Sequence, residues 1–382
     1  MSLEKIKNSN MKCSNKNYQK CKVTLMDTTD PDITFNKKGE CNYVDEYKNL
    51  IFKGWDPNGN KTLFNQLINR IKSEGKNKSY DCCIGLSGGV DSSYLVYLAW
   101  KNGLKPLIIH TDTGWNSELA VQNIENLVKK TGFDLYTHVV YWPTMKELQK
   151  AFLRSGVSNQ DIPQDHAIAA SFYKVASKMN IKWILNGSNY ATESILPKAW
   201  GWDNRDYLHI KSIFKTFGEG SLKKYPKLGY VQYVFKYLLF KNLNIVKPLN
   251  LINYRKNKAI EILEKEFDWK YYGGKHYESR FSKFFQGWYL PNKFGFDKRL
   301  AHLSSLILNN EITRKEGEQE LNHTSLTDFE ISREIEFVQK KLNFSDIEFK
   351  NIINSPPRSH FEYKNLKPYL DLILKLRKSF KI

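Results

Sequence analysis

The sequence predicts a doubly wound α/β fold, a parallel sheet with helices on both faces, joined to a mostly helical C-terminal region. Three observations carry this expectation. Short apolar runs alternate with amphipathic stretches from residue 80 to about 190. The first apolar run opens directly into Ser87-Gly88-Gly89-Val90-Asp91-Ser92-Ser93 and then into a helical pattern. From about 205 the alternation stops, and aromatic, lysine-rich and helix-spaced segments take over. Strand–helix alternation builds parallel sheets, and right-handed crossovers place ligands at the carboxyl ends of the strands.

Each element follows from local spacing. Residues 1–60 are polar and lack periodicity, so they read as an irregular N-terminal extension. In 61–76, Leu63, Phe64, Leu67, Ile68 and Ile71 form one helical stripe that ends at Gly75. Residues 80–86 suit a buried strand, 92–103 a helix closed by Gly103, and 105–112 a second strand. Residues 117–132 give a helix with Gly132 at its end, and 134–142 a third strand. Residues 165–180 give a helix and 181–187 a fourth strand, while 254–267 and 326–342 read as further helices. The expected division is therefore 1–60 as extension, 61–204 as nucleotide-type domain and 205–382 as a helical substrate- or partner-binding region.

Composition narrows the class. At ~150 residues per domain, 382 residues are more than one domain's worth. With 41% hydrophobic and 26% charged residues the chain is neither disordered nor collagen-like. There is no apolar run of ~18 residues to span a membrane, and the first residues show no secretory signal. Five cysteines in a chain of this length make no disulfide framework, and the expected location is cytoplasmic. The net charge of +19 is compatible with nucleic acid, an anionic membrane, anionic small molecules, or simply solvated lysines. The lysines are scattered and form no single tract.

The loop at 87–93 carries the chemistry. Gly88 and Gly89 permit close backbone approach to an anion. The helix that follows offers free N–H groups and the positive end of its dipole. Ser87, Ser92 and Ser93 add hydroxyls. Asp91 is repelled by phosphate unless a cation lies between them, and Mg²⁺ is the natural mediator. A turn followed by a helix N-cap uses the same residue types without any ligand.

This loop resembles the pyrophosphate loop of the ATP-pyrophosphatase (PP-loop) superfamily, and it lacks the Gly-Lys-Ser/Thr end of a Walker loop. The resemblance implies ATP cleavage between the α and β phosphates, adenylation of a carbonyl-type oxygen, and displacement of AMP by a nitrogen or sulfur nucleophile. It also implies that His110, Asp112 and Thr113 hold adenosine at the end of the second strand. Gly187-Ser188-Asn189-Tyr190-Ala191-Thr192-Glu193 is similar to a stretch of NAD synthetases, which implies nucleotide contacts at Gly187 and Ser188 and places Glu193 with Asp91 on Mg²⁺.

A closer resemblance, over nearly the whole chain, is to the N-acetyl sugar amidotransferases of surface-polysaccharide, O-antigen and nonulosonic (pseudaminic, legionaminic) acid biosynthesis. The stretches that carry it are 26–43, 110–132, 162–170 (IPQDHAIAA), 187–197, 247–254, 273–307 and 354–360 (NSPPRSH). The run 273–307 is the most specific of these. The resemblance implies an acetamido-to-acetamidino conversion on a nucleotide-linked N-acetyl sugar. It also implies ammonia from a separate glutaminase of the imidazole-glycerol-phosphate-synthase type, with a cyclase-like companion. GGKHYESR supplies the expected catalytic set. Lys275 and Arg280 are candidates to grip phosphate or a sugar carboxylate. His276 and Glu278 are candidates to take the proton from ammonia. A polar loop capping the next helix would use the same residues. Asp165 reads as a helix N-cap and His166 as structural.

Members of this branch begin with two Cys-x-x-Cys pairs suited to zinc. Here Cys21 pairs with Thr24 and Cys41 with Val44, and Cys13 is spare, so a degenerate module without zinc is expected. Cys82 and Cys83 alternate on the first strand and read as core. Residues 223–247 and 366–382 mix apolar and basic residues, which suits core, partner or peripheral membrane contact. The main alternative function is a tRNA-modifying ATP-pyrophosphatase of the thiolase or lysidine-synthetase type. A nucleotide-binding scaffold without turnover is a third, against which the intact loop argues. Specific nucleic-acid binding is not expected.

Overall fold

The computed structural model describes residues 18–240, 242–323 and 326–372. Cys13, Lys241 and the basic stretch 373–382 lie outside the described residues. The sheet has five parallel strands: β1 Cys82–Gly85, β2 Pro106–Asp112, β3 Leu135–Val139, β4 Trp183–Leu185 and β5 Asn244–Val246. Their order is β3-β2-β1-β4-β5. The chain moves outward in one direction through β2 and β3, then returns past β1 to β4 and β5. This reversal leaves a crevice at the carboxyl ends of β1 and β4, where ligands bind in open parallel sheets. The doubly wound α/β fold expected from the sequence is the fold observed.

Helices cover both faces. Lys61–Gly75, Val90–Lys101, Glu118–Thr131 and Lys256–Phe267 share one core with Cys82, Ile84 and Ile108 of the sheet. Cys83, Leu107, Ile109 and Ile184 face the other side, against residues of helix Ile162–Lys178. The adjacent cysteines thus point to opposite faces, as strand alternation requires, and both are buried. Burial raises both thiol pKa values above the ordinary range, so neither is a poised thiolate. Caps set the helix ends: Asn60 accepts from the Leu63 amide, Ser117 accepts from the Ala120 amide, and Gly132 closes its helix at φ +69°.

The C-terminal half forms a third core around Trp115, Phe152, Phe281, Phe285 and Tyr289. Two elements of the sheet domain escape the sequence reading. The helix Trp142–Ser155 begins where the third strand was expected to end, with Pro143 in its first turn. Met145, Leu148 and Phe152 give it a buried helical stripe. The strand β5 is three residues long, too short to leave a periodic signal, and it comes from beyond residue 204. The expected irregular 1–60 extension contains the helix Asn42–Phe52. Its Tyr43 and Val44, with Leu25 and Met26, pack against Leu300 and Ala301.

Cys21, Thr24 and Cys41 form a hydrogen-bonded knot. Cys21 Sγ accepts from the Thr24 and Cys41 amides at 3.4 and 3.2 Å. Thr24 Oγ1 lies 3.5 Å from Cys41 Sγ, where a paired thiol would otherwise stand. In the 223–247 segment Tyr237 is buried, while Val231, Phe235, Leu239 and Phe240 are exposed. Among the described residues no helix is long and apolar enough to cross a membrane.

Candidate active site

The loop between β1 and helix Val90–Lys101 is drawn tight. Gly88 has φ +83°, and a Cβ on it would lie 2.5 Å from the Ala120 carbonyl oxygen, so only glycine fits. The Gly89 amide donates to Ser87 Oγ at 3.2 Å, and the Val90 amide donates to Tyr272 Oη at 3.0 Å. Ser87 Oγ and Ser92 Oγ are 3.2 Å apart. Ser93 differs from its neighbours. It is fully buried, and its hydroxyl accepts from Trp269 Nε1 at 3.2 Å, an indole that also donates to Gly88 O. Ser93 therefore braces the loop from beneath. Gly187, at the end of β4, approaches the Ser92 amide so closely that a Cβ would lie 3.2 Å from it. A cavity of about 210 Å³ opens above this loop, and Ser87, Gly89, Asp91, Gly187 and Ser188 line it.

Lys275 reaches into that cavity. Its Nζ lies 2.8 Å from Glu193 Oε1 and 3.5 Å from Asp91 Oδ2, and it donates to Thr192 Oγ1 at 3.1 Å. Asp91 Oδ1 also accepts from Tyr254 Oη. Burial opposes the charges of Lys275 and Glu193, but their mutual attraction outweighs it, and both remain ionised. Two carboxylates from different strand ends thus converge on one cation. That donor set fits a Mg²⁺ shared with phosphate oxygens.

The segment 276–280 is clipped to the loop after β2. Ser117 donates its amide to Glu278 O, and Arg280 donates its amide to Trp115 O, both at 2.8 Å. This pairing brings Glu278 to Ser87, whose hydroxyl donates to Glu278 Oε1 at 3.4 Å. His276, in the left-handed region at φ +64°, places Nδ1 3.8 Å from Glu278 Oε1. Burial lowers the His276 pKa, but Glu278 more than compensates and the net shift is upward; the same pair holds Glu278 below the usual carboxylate range. Arg280 does not join this cluster. Its guanidinium donates to Glu334 at 3.0 Å and lies over Phe337 at 3.4 Å, where it ties two helices together.

His110 and Thr113 line a second cavity of about 370 Å³ beside the first, with Phe172 and Tyr173 opposite. His110 Nδ1 donates to Leu86 O at 2.8 Å, which leaves Nε2 to accept from Asn116 Nδ2 at 2.9 Å. Asp112 Oδ1 accepts from the Gly114 amide at 2.7 Å and from Asn116 at 3.1 Å, so it shapes the turn and does not line the cavity.

A third cavity, of about 1210 Å³, lies on the far side of His276. Trp200, Trp202, Phe294 and Phe296 give it aromatic walls, and Lys298 and Arg358 give it positive charge. His276 borders all three cavities, Glu193 borders the first and third, and Asp165 borders the second and third.

Several participants were not identified from the sequence. Tyr254, Trp269 and Tyr272 support the anion loop from 160 or more residues downstream. His302 lines the large cavity with neither ring nitrogen hydrogen-bonded. Burial, reinforced by the cationic Lys275, His276, Lys298 and Lys256, keeps His302 neutral. Asp165 was read as a helix cap. The N-cap position of helix Ile162–Lys178 is Asp161, and Asp165 instead sits in the first turn, exposed where the second and third cavities adjoin. Only the tryptophan and two tyrosines of WKYY (269–272) offer a local signal, a rigid polar-tipped cluster just before GGKH.

The fold and site thus define a doubly wound α/β protein with a tight glycine–serine loop at its switch point. Residues 278–377 match the family described as LPS biosynthesis protein WbpG-like, C-terminal domain. No curated protein matches the chain. Among solved structures, it is similar to NMN synthetase from Francisella tularensis at 17% identity and TM-score 0.31, over 77% of this chain and 96% of that one. The U34-tRNA thiolase NcsA from Methanococcus maripaludis, with its [4Fe-4S] cluster, matches at 14% identity and TM-score 0.33, over 71% and 88%. The NH3-dependent NAD synthetase from Campylobacter jejuni matches at 13% identity and TM-score 0.28, over 55% and 93%.

Proposed function

We propose that the chain is an ATP-dependent N-acetyl sugar amidotransferase that works in the cytoplasm and converts an acetamido group into an acetamidino group. The observation that carries this is the meeting of three cavities at His276: an anion cradle, a nucleoside-sized pocket and a large aromatic-walled chamber. The WbpG-like match over residues 278–377 supports a role in lipopolysaccharide or related glycan synthesis.

An amide oxygen is a poor leaving group, and adenylation converts it to AMP. In this reading Ser87, Gly89 and Ser92 hold the pyrophosphate of ATP, and the pocket at His110 and Thr113 takes the nucleoside. The nucleotide-linked N-acetyl sugar enters the large chamber, with its sugar ring against the aromatic walls. Its amide oxygen then meets the α-phosphorus near His276. Asp91 and Glu193 would hold Mg²⁺, which when bound neutralises charge on the departing pyrophosphate. The cationic Lys275, joined by His276 in its protonated form, opposes the charge that develops on phosphate oxygens, and held in a partly closed site these groups need little reorganisation. Ammonia, supplied by a separate glutaminase, displaces AMP from the activated carbon. The deeply buried, protonated Cys82 and Cys83 weigh against a sulfur-transfer reading.

The test is an incubation of CMP- and UDP-linked N-acetyl sugars with ATP and ammonium. AMP, pyrophosphate and a product one mass unit lighter are expected. Sugar-dependent ADP and phosphate, or AMP release stimulated by tRNA in place of sugar, would refute the assignment.

A further inference from the structure

We propose that Asp165 is the catalytic residue that receives the proton from the nitrogen nucleophile. This rests on the amidotransferase reading above and deepens it.

The placement is specific. Asp165 lies in the first turn of helix Ile162–Lys178, with its carboxylate on the wall shared by the nucleoside pocket and the large chamber. An acceptor amide adenylated by a nucleotide in the first and carried on a sugar in the second must have its carbon near this wall. The side chain is open to the lumen and accepts no hydrogen bond from the described residues. The neighbouring acid, Asp161, is fully engaged: Ser282 Oγ and Gln286 Nε2 each donate to it at 2.9 Å. No other acid or base shares this placement without a competing partner. Glu278 lines the nucleoside pocket but not the large chamber, and its Oε1 is turned toward Ser87 and His276. His302 lines the large chamber but not the nucleoside pocket, and burial pushes its pKa well below the usual value, which makes it a weak base. His276 Nδ1 faces Glu278 Oε1 at 3.8 Å.

The step balances without a further reactant. The ammonia lone pair forms a C–N bond to the O-adenylated amide carbon. The nitrogen becomes cationic and gives one proton to the Asp165 carboxylate. The C–O bond then breaks, AMP leaves with the electron pair, and the amidinium product remains. A carboxylate suits both tasks, because it attracts the cationic nitrogen before it takes the proton. The groups that face Asp165 are Asp161 at the helix start, Lys298 from helix Lys298–Leu308 and His276. Desolvation and the charge of Asp161 outweigh the two cations and push the Asp165 pKa up to about 7, closer to that of an effective base.

The two half-reactions separate the outcomes. Sugar-dependent exchange of labelled pyrophosphate into ATP, without ammonium, reports adenylation alone. Ammonium-dependent AMP formation reports the complete reaction. Asp165→Asn should keep exchange within about twofold and lose about 100-fold or more in ammonium-dependent turnover, the usual range for a general base. Asp165→Glu should recover part of that turnover. At constant free NH3, wild-type turnover should rise with pH through about 7, and this limb should be missing from the residual Asp165→Asn activity. Near-normal turnover in Asp165→Asn, or loss of exchange in both variants, overturns the assignment of Asp165 while leaving the enzyme assignment intact. If the wild type shows no exchange with any N-acetyl sugar, the amidotransferase reading fails and takes this inference with it.

Discussion

Lys275 illustrates how one residue holds apart two readings of the same site. Its ammonium lies between Asp91 and Glu193, where a divalent cation would share those oxygens. Lys275→Met should therefore have two effects. Sugar-dependent AMP formation should fall about 100- to 1000-fold, as expected when a fixed charge facing the transition state is lost. The nucleotide-free protein should also bind Mn²⁺ more tightly, measured by electron paramagnetic resonance, because the competing ammonium has gone. Unchanged Mn²⁺ affinity would place the cation site elsewhere. Asp91→Asn should abolish most activity with the fold intact, and normal turnover in that variant would exclude its role. Arg280 is a contrasting case. Its partners are Glu334 and Phe337, so Arg280→Ala should lower stability by about 1–3 kcal/mol, in line with loss of a charged hydrogen bond and a cation–π contact. The acceptor KM should not move, and a large rise would return Arg280 to the substrate.

At the scale of elements, three buried histidines join the C-terminal segments to the helices below them. His166 stacks between Tyr207 and Tyr225, donates Nδ1–H to Asn204 O at 2.5 Å, and accepts the Leu228 amide on Nε2 at 3.2 Å. His360 accepts the Asn159 amide on Nε2 at 3.3 Å, so its Nδ1–H points to His209 Nε2 at 3.2 Å. Burial lowers the pKa of His166 and His209 from 6.5 to about 4, and that of His360 falls well below the usual value. The unfolded chain therefore binds protons near pH 6.5 that the folded protein refuses. The stability contribution is complete above that pH and is lost as pH falls from about 6.5 toward 4, at an order of 3 kcal/mol for His166. Urea unfolding at stepped pH should show stability falling below pH 6.5. His209→Phe, which removes one such group, should flatten the slope, and an unchanged slope would show that these rings are not the source.

The whole molecule carries a charge of +19 without a basic tract. Any RNA binding should be of the counterion-release kind, with affinity falling steeply between ~50 and ~200 mM salt. A filter-binding titration that found tight, tRNA-selective binding at ~150 mM salt would favour the tRNA-modifying alternative. The isolated chain should use ammonium and not glutamine. Glutamine use should appear when a glutaminase of the imidazole-glycerol-phosphate-synthase type is added, and glutamine hydrolysis by the chain alone would exclude the partner requirement. The large chamber and its border with the anion cradle are features of this scale too. They are built jointly by residues 158–165, the 193–206 loop, His276 and the segments after residue 290.

The sequence by itself determined whatever depends on neighbours in the chain. Strand and helix spacing, the glycines that end helices and the loop Ser87–Ser93 were all legible because each is a local pattern of dihedral and apolar preference. So was the opposite facing of Cys82 and Cys83, which strand alternation alone requires. Only the tertiary structure decided which polar groups meet. Glu278 reaches Ser87 across 191 residues through backbone pairing with the 115–117 loop, and Trp269 braces Gly88 across 181. Ser93, Asp112 and Arg280 looked equivalent to their neighbours in sequence, yet packing turns each away from the cavities. Asp165 was equally ambiguous as one acid in the first turn of a helix. Its importance arises where two cavities join, and that junction is set by the crossing of distant elements, for which no short stretch of sequence carries a signal.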